Sequence, residues 1–243
     1  MAADVVDGAA GAVQTVHRDA GMFARQPVQD GIVPGAQRRQ HRSCFVQLRA
    51  VRAAEGALEG LGHSVEEVEV PTVSEEMIGP FILLTQGGLA DYEGVDWSAV
   101  EPHVAHQRKL AAETSAYDYA LAARKLELLS RQDVARWGRD FDVLLTPTSA
   151  ILPPPAGEVL RAQHAAPGEP LPAVVASVSF TAFGNVTGLP AVSLPLHATE
   201  SGVPVGVQLT AGPWQEATLL RLARELEEAL PWAERRPALA QVA

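Results

Sequence analysis

From Val46 the apolar positions fall into a regular pattern. Leu48, Val51, Leu58 and Leu61 recur near helical spacing, with Glu55 and Glu59 on another face. Gly60 and Gly62 suit the end of that helix, where a positive φ is often needed. Ser64 to Val70 then alternates polar and apolar residues as a half-exposed strand does, and Pro71 closes it. Residues 74–90 are mostly apolar and read as a helix. Ser98-Ala-Val-Glu101 has the spacing of a capping box, with Pro102 close behind. The strongest helix is expected from about Thr114 to Gly138, with Tyr119, Ala122, Leu126, Leu129 and Trp137 on its apolar stripe. Phe141–Leu145 reads as a short buried strand. The last third predicts two strands, Ala191–Pro195 and Pro204–Ala211, and a helix from about Gln215 with Leu219, Leu222, Leu226 and Leu230 along its edge. Helices alternating with short strands make this an α/β chain.

Two stretches resist that pattern. Asp7–Ala20 reads as a short helix weakened by Gly8, Gly11 and Gly21, and Gly31, Pro34 and Gly35 break the chain before the basic run Gln37–Arg42. Residues 1–43 are therefore expected to form a poorly ordered or non-homologous arm, and 44–243 the folded part. Residues 147–172 carry seven prolines and predict a long irregular loop.

Composition sharpens the first boundary. Residues 1–54 contain no Glu and no Lys, and their seven Arg and four Asp sum to +3; the remaining 189 residues sum to −13. The whole chain carries −10, which repels nucleic acid. The basic run also lacks the aromatic residues that stack on bases. The single cysteine, Cys44, forms no internal disulfide and fits a reducing compartment. No stretch approaches the roughly 20 apolar residues of a membrane span. A cytoplasmic protein without nucleic-acid or membrane partners is expected.

Candidate chemistry is sparse. There is no G-x-S-x-G elbow, no H-E-x-x-H, no paired C-x-x-C and no P-loop. His103 and His106, three apart, suit one helical face, but two histidines at this spacing are usually surface residues, so no metal is expected. Cys44 reads as a bland thiol. Ser193 and His197 lie on a strand and its turn, where they point apart; a Ser–His pair needs hydrogen-bond reach and a third group. Lys109 and Lys125 fall on solvent-facing helices. Asn185, Gly188 and Pro190 read as a turn. Gly206 leaves room for a neighbouring backbone, and Gln208 serves polar groups within the sheet.

The most distinctive text is Phe141-Asp-Val-Leu-Leu-Thr-Pro-Thr148, then Phe180-Thr-Ala-Phe-Gly-Asn-Val-Thr-Gly-Leu-Pro-Ala-Val-Ser-Leu-Pro195, then Gly202-Val-Pro-Val-Gly-Val-Gln-Leu209. Glu216, Leu219-Leu220, Leu230-Pro-Trp232 and Pro237 follow in order, and Gly56–Val65 precedes. In that order and spacing, residues 44–237 resemble the C-terminal half of the amidase-signature family.

The resemblance implies a partial version of an α/β fold, a mixed β-sheet flanked by helices. It implies hydrolysis of carboxylic amides, and of some esters, by a Lys–Ser–Ser triad that needs no cofactor. A neutral Lys would take a proton through the bridging Ser so that the second Ser attacks the carbonyl. Backbone N–H groups of a Gly/Ser-rich stretch would hold the oxyanion, a contribution of about 3–4 kcal/mol. Those parts belong to a region preceding the matched one, and no catalytic residue transfers to this sequence. What transfers is a pocket wall: Thr146, Pro147, Thr148, Phe180 and Asn185 are the expected substrate-binding positions. The expectation is thus a truncated amidase-family chain, inactive by itself, that meets a small amide only if complemented. The alternatives are an amidase completed by a second polypeptide, or a non-catalytic interaction module. An exposed sheet edge would favour homo-oligomers.

Overall fold

The structure, a computed structural model, describes residues 12–15, 34–68, 71, 73–169 and 171–236. It is a mixed α/β fold, and the chain divides into two compact units. Unit 1 comprises Met1–Val70, Arg136–Thr148 and Leu189–Ala243; unit 2 comprises Pro71–Ala135 and Ser149–Gly188.

Unit 1 is built on a five-stranded sheet. Strand β1 (Ala12–Thr15) leads through helix α1 (Pro34–Gly60) to β2 (Ser64–Glu67), and β1 and β2 pair in parallel with Val13 opposite Val65. A parallel pair requires such a crossover, and the long helix provides it. Strand β3 (Val143–Pro147) pairs parallel to the other side of β1. Strands β4 (Ala191–Ala198) and β5 (Pro204–Ala211) form an antiparallel hairpin, and β5 pairs antiparallel with β3, giving the order β2-β1-β3-β5-β4. Helix α8 (Glu216–Ala229) and α1 pack on each other and on β4 and β5. The core lies where they meet. Ala50, Val51, Ala54 and Leu58 of α1, Val205, Val207 and Leu209 of β5, Leu145 of β3, and Leu219, Leu222 and Leu226 of α8 are all buried. Enclosing a Leu or Val side chain contributes roughly 1.5–3 kcal/mol, so this contiguous cluster dominates the unit's stability.

Unit 2 is helical. Its elements are α2 (Glu75–Gly87), a 3₁₀ turn (Gly88–Asp91), α3 (Pro102–Glu113), α4 (Ala116–Val134), α5 (Glu158–Ala165), α6 (Pro172–Val178) and α7 (Thr181–Thr187). Helix α4 packs against α2 and α7, and its buried stripe is Ala122, Leu126 and Ser130. Ser115 caps it, accepting a hydrogen bond from the Asp118 N–H at 3.1 Å.

Several expectations from the sequence fail for identifiable reasons. The helix begins at Pro34, not Val46: Pro34 and Gly35 open it, since proline's fixed φ suits a first turn. The basic run Gln37–Arg42 is therefore helical backbone. Within Asp7–Ala20, Ala12–Thr15 is a strand and not a helix; the flanking residues of that segment lie outside the described residues. The proline-rich segment holds α5, because 156–166 is a window free of proline. Ser98 does not cap a helix. Its N–H and hydroxyl both bind Asp96, and α3 starts later, with Pro102 in its first turn. Asn185 sits inside α7, and Gly188 caps that helix at φ 70° in the left-handed region.

Candidate active site

The end of β3 and the facing part of the hairpin bring together the polar residues of unit 1. Register places Thr146 opposite Gln208, and Gln208 opposite Ser193, so the three share one face of the sheet. Thr148 follows two residues after Thr146, and its N–H donates to the Gly206 carbonyl at 3.1 Å. The Thr148 Oγ1 and Ser193 Oγ atoms are hydrogen-bonded at 2.6 Å. They meet directly over Gly206: a β-carbon there would lie 2.7 Å from Thr148 Oγ1 and 2.8 Å from Ser193 Oγ. Only a residue without a side chain permits the hydroxyl pair to sit so close to the strand. Thr146 is almost fully enclosed at 2% exposed, and its Oγ1 has no hydrogen-bond partner among the described residues. Such a group costs about 1–3 kcal/mol, which marks this face as one where a polar contact is wanting.

The five expected wall positions are divided between the units. Thr146, Pro147 and Thr148 lie in unit 1, where Thr146 and Pro147 are buried and Thr148 is half-buried. Phe180 and Asn185 lie in unit 2, Phe180 as the residue before α7 and Asn185 exposed on that helix. Ser193 and Gly206 join the cluster; the sequence weighed Ser193 only with His197 and read Gly206 only as room for a neighbouring backbone. The signal that would have found them is cross-strand register, which needs the turn length and the bulge between Leu194 and His197.

The other candidates take structural places. Ser193 bonds Thr148 and not His197, and neither hydroxyl of the pair has a histidine or lysine as hydrogen-bond partner among the described residues. Without a base, a hydroxyl at neutral pH is a poor nucleophile. Glu101 forms an ion pair with His164 of α5, and the His164 and His103 rings stack at 6.3 Å. No group of three ligating side chains able to hold a metal occurs among the described residues. Cys44 lies on the backbone of α1, and its side chain lies outside the described residues.

Residues 46–220 match the model of the family described as Amidase. The chain belongs to the amidase family. Among its relatives, the AmiC protein of Mycobacterium tuberculosis (strain ATCC 25618 / H37Rv) is 37% identical over 186 residues, covering 73% of this chain and 38% of that protein. An amidase of Pseudomonas putida is 34% identical over 194 residues, covering 78% of this chain and 41% of its own length. The chain therefore spans about two fifths of the curated relatives it matches. The solved structure of a 6-aminohexanoate cyclic dimer hydrolase superposes with a TM-score of 0.66 at 26% identity, covering 95% of this chain and 47% of that one. No helix among the described residues is long and apolar enough to cross a membrane.

Proposed function

We propose that these 243 residues serve as the non-nucleophilic half of an amide hydrolase, supplying scaffold and one pocket wall, and that they do not hydrolyse amides by themselves. The observation that carries this is the family match over residues 46–220, in a chain whose assembled hydroxyls have no base beside them. Residues 44–243 are the amidase-related part in this reading, supported by the composition break near residue 54. The proposed substrate contacts are Thr146, Pro147 and Thr148 on unit 1 and Phe180 and Asn185 on unit 2, and the Lys–Ser–Ser machinery comes from a complementing segment. The setting is cytoplasmic, the substrate a small carboxylic amide, and no cofactor is required, since side chains perform all proton transfers in this mechanism.

A second reading, loss of hydrolysis altogether, differs in one outcome. The purified chain is assayed for ammonia release from benzamide and butyramide, alone and after co-expression with the first half of the Pseudomonas putida amidase. No turnover alone and turnover on co-expression is the expected result. Failure of co-expression to restore turnover, with both pieces soluble and bound to each other, favours the chain as a non-catalytic module. Hydrolysis by the chain alone that disappears in Ser193→Ala would overturn the proposal, because it would place the nucleophile here.

A further inference from the structure

Proton accounting gives the hydroxyl pair on β3 and β4 a more specific role. Thr148 and Ser193 carry two hydroxyl protons between them, and the 2.6 Å bond that joins them uses one. The second O–H has no acceptor among the described residues. Thr146, on the same face of β3, holds another O–H with no acceptor, one position deeper and enclosed. Buried polar groups are normally paired, so Thr146 marks this face as one short of a partner. The O–H that the pair does not use internally is available on its open side, where an acceptor oxygen can take it. Ser193 is exposed and Thr148 half-buried, so the open side is theirs. Gly206 keeps the pair pressed against the strand and fixed in direction.

We infer that Thr148 and Ser193, seated over Gly206, donate a hydrogen bond to a carbonyl oxygen in the acyl portion of the substrate, distinct from the carbonyl that is cleaved. A neutral carbonyl is favoured over a carboxylate because the chain carries −10 and repels anions at long range. This rests on the pocket-wall reading above and deepens it: the preferred amides carry a second amide or keto group. Discrimination arises because an analogue without that oxygen leaves the donor unpaired once water is excluded, a loss worth roughly tenfold in affinity or more.

Succinamide and butyramide provide the test, since both are neutral and similar in size but only succinamide has the second carbonyl. The first measurement is an amide ¹H–¹⁵N titration of the isolated chain with succinamide. It requires no hydrolysis, so it is independent of whether complementation succeeds. Saturable shifts at Thr148, Ser193 and Gly206 are expected, weakened roughly tenfold in Thr148→Val/Ser193→Ala and retained in Thr148→Ser. A dispersed spectrum establishes that each variant is folded, and Ser193→Ala alone replaces the double variant if that one is not. The second measurement is kcat/KM of the co-expressed enzyme, expected to favour succinamide over butyramide roughly tenfold, with the preference lost in Ser193→Ala. Shifts that avoid these three residues, or that persist unchanged in the variants, overturn the inference; so does the absence of any saturable shift. Loss of the inference with intact co-expressed turnover leaves the proposed function standing. Localised shifts without turnover leave the donor pair standing and remove the hydrolase.

Discussion

At the scale of single residues, Gly206 is the position where geometry is least forgiving. A β-carbon there meets two short, branched or strand-fixed side chains at 2.7 and 2.8 Å, and Thr148 Cβ at 3.1 Å. None of these is the end of a long flexible chain, so the neighbours must move. Overpacking of this kind costs typically 1–3 kcal/mol, while Gly→Ala in a strand recovers part of that by restricting the unfolded chain. Gly206→Ala is expected to destabilise unit 1 by about 1 kcal/mol in urea unfolding. Because the clash is with hydroxyls, Gly206→Ala/Ser193→Ala should be less destabilised than the sum of the single changes; strict additivity would show that the pair does not press on Gly206. The sequence exposed part of this. A glycine inside an alternating strand signalled a close approach, but the approaching group is a side-chain pair and not a backbone. Which side chains approach depends on register between segments 45 residues apart, and no local pattern encodes that.

Individual elements were legible to the extent that their stripes were strong. The α8 stripe of Leu219, Leu222 and Leu226, and the α4 stripe of Ala122 and Leu126, follow directly from their spacing. Boundaries fared worse where glycine and proline were read only as breakers: Pro34 opens α1 and Asn185 lies within α7. The exposed side of α4 carries its own electrostatic device. Arg131 Nη2 donates to Glu127 Oε1 at 2.5 Å and Arg124 Nη1 donates to Oε2 at 3.0 Å, spanning one turn on each side. The hydrogen bond from Arg131, then that from Arg124, holds the Glu127 carboxyl below its ordinary range. With a depressed folded pKa, the contribution of these pairs is present above the unfolded glutamate value of about 4.3 and is lost as pH falls through the lower folded one. Both guanidinium partners are exposed, so the gain is small and screened by salt. A side-chain NMR titration should place the Glu127 midpoint below the ordinary glutamate value of about 4.3, and Arg131→Ala should raise it. An unchanged midpoint in that variant would mean that the bond is not formed in solution.

Over the whole molecule two forces compete, and salt decides between them. The charge of −10 repels like chains at distances set by the Debye length, about 10 Å at 0.1 M salt and about 3 Å at 1 M. Against it stand large apolar side chains at the surface: Trp214 is 89% exposed, Tyr117 75%, Leu220 67% and Leu121 55%. Scattered apolar residues are normal on any surface, but Trp214 is held at φ 65°, a left-handed conformation that costs a bulky residue about 1–2 kcal/mol. Tyr117 and Leu121 are also one turn apart on α4, so their apolar surface is shared and not isolated. Apolar contact is short-ranged and does not weaken as salt rises, whereas the repulsion does. The isolated chain is therefore expected to sediment as smaller species at 20 mM salt and as larger ones at 0.5 M, with the shift reduced in Leu121→Glu, which places a charge inside the patch. The reverse dependence would assign association to ion pairs between copies, with the apolar surface uninvolved. A monomer at every salt concentration would show that the charge outweighs this surface even when screened, and that the chain is self-sufficient in solution.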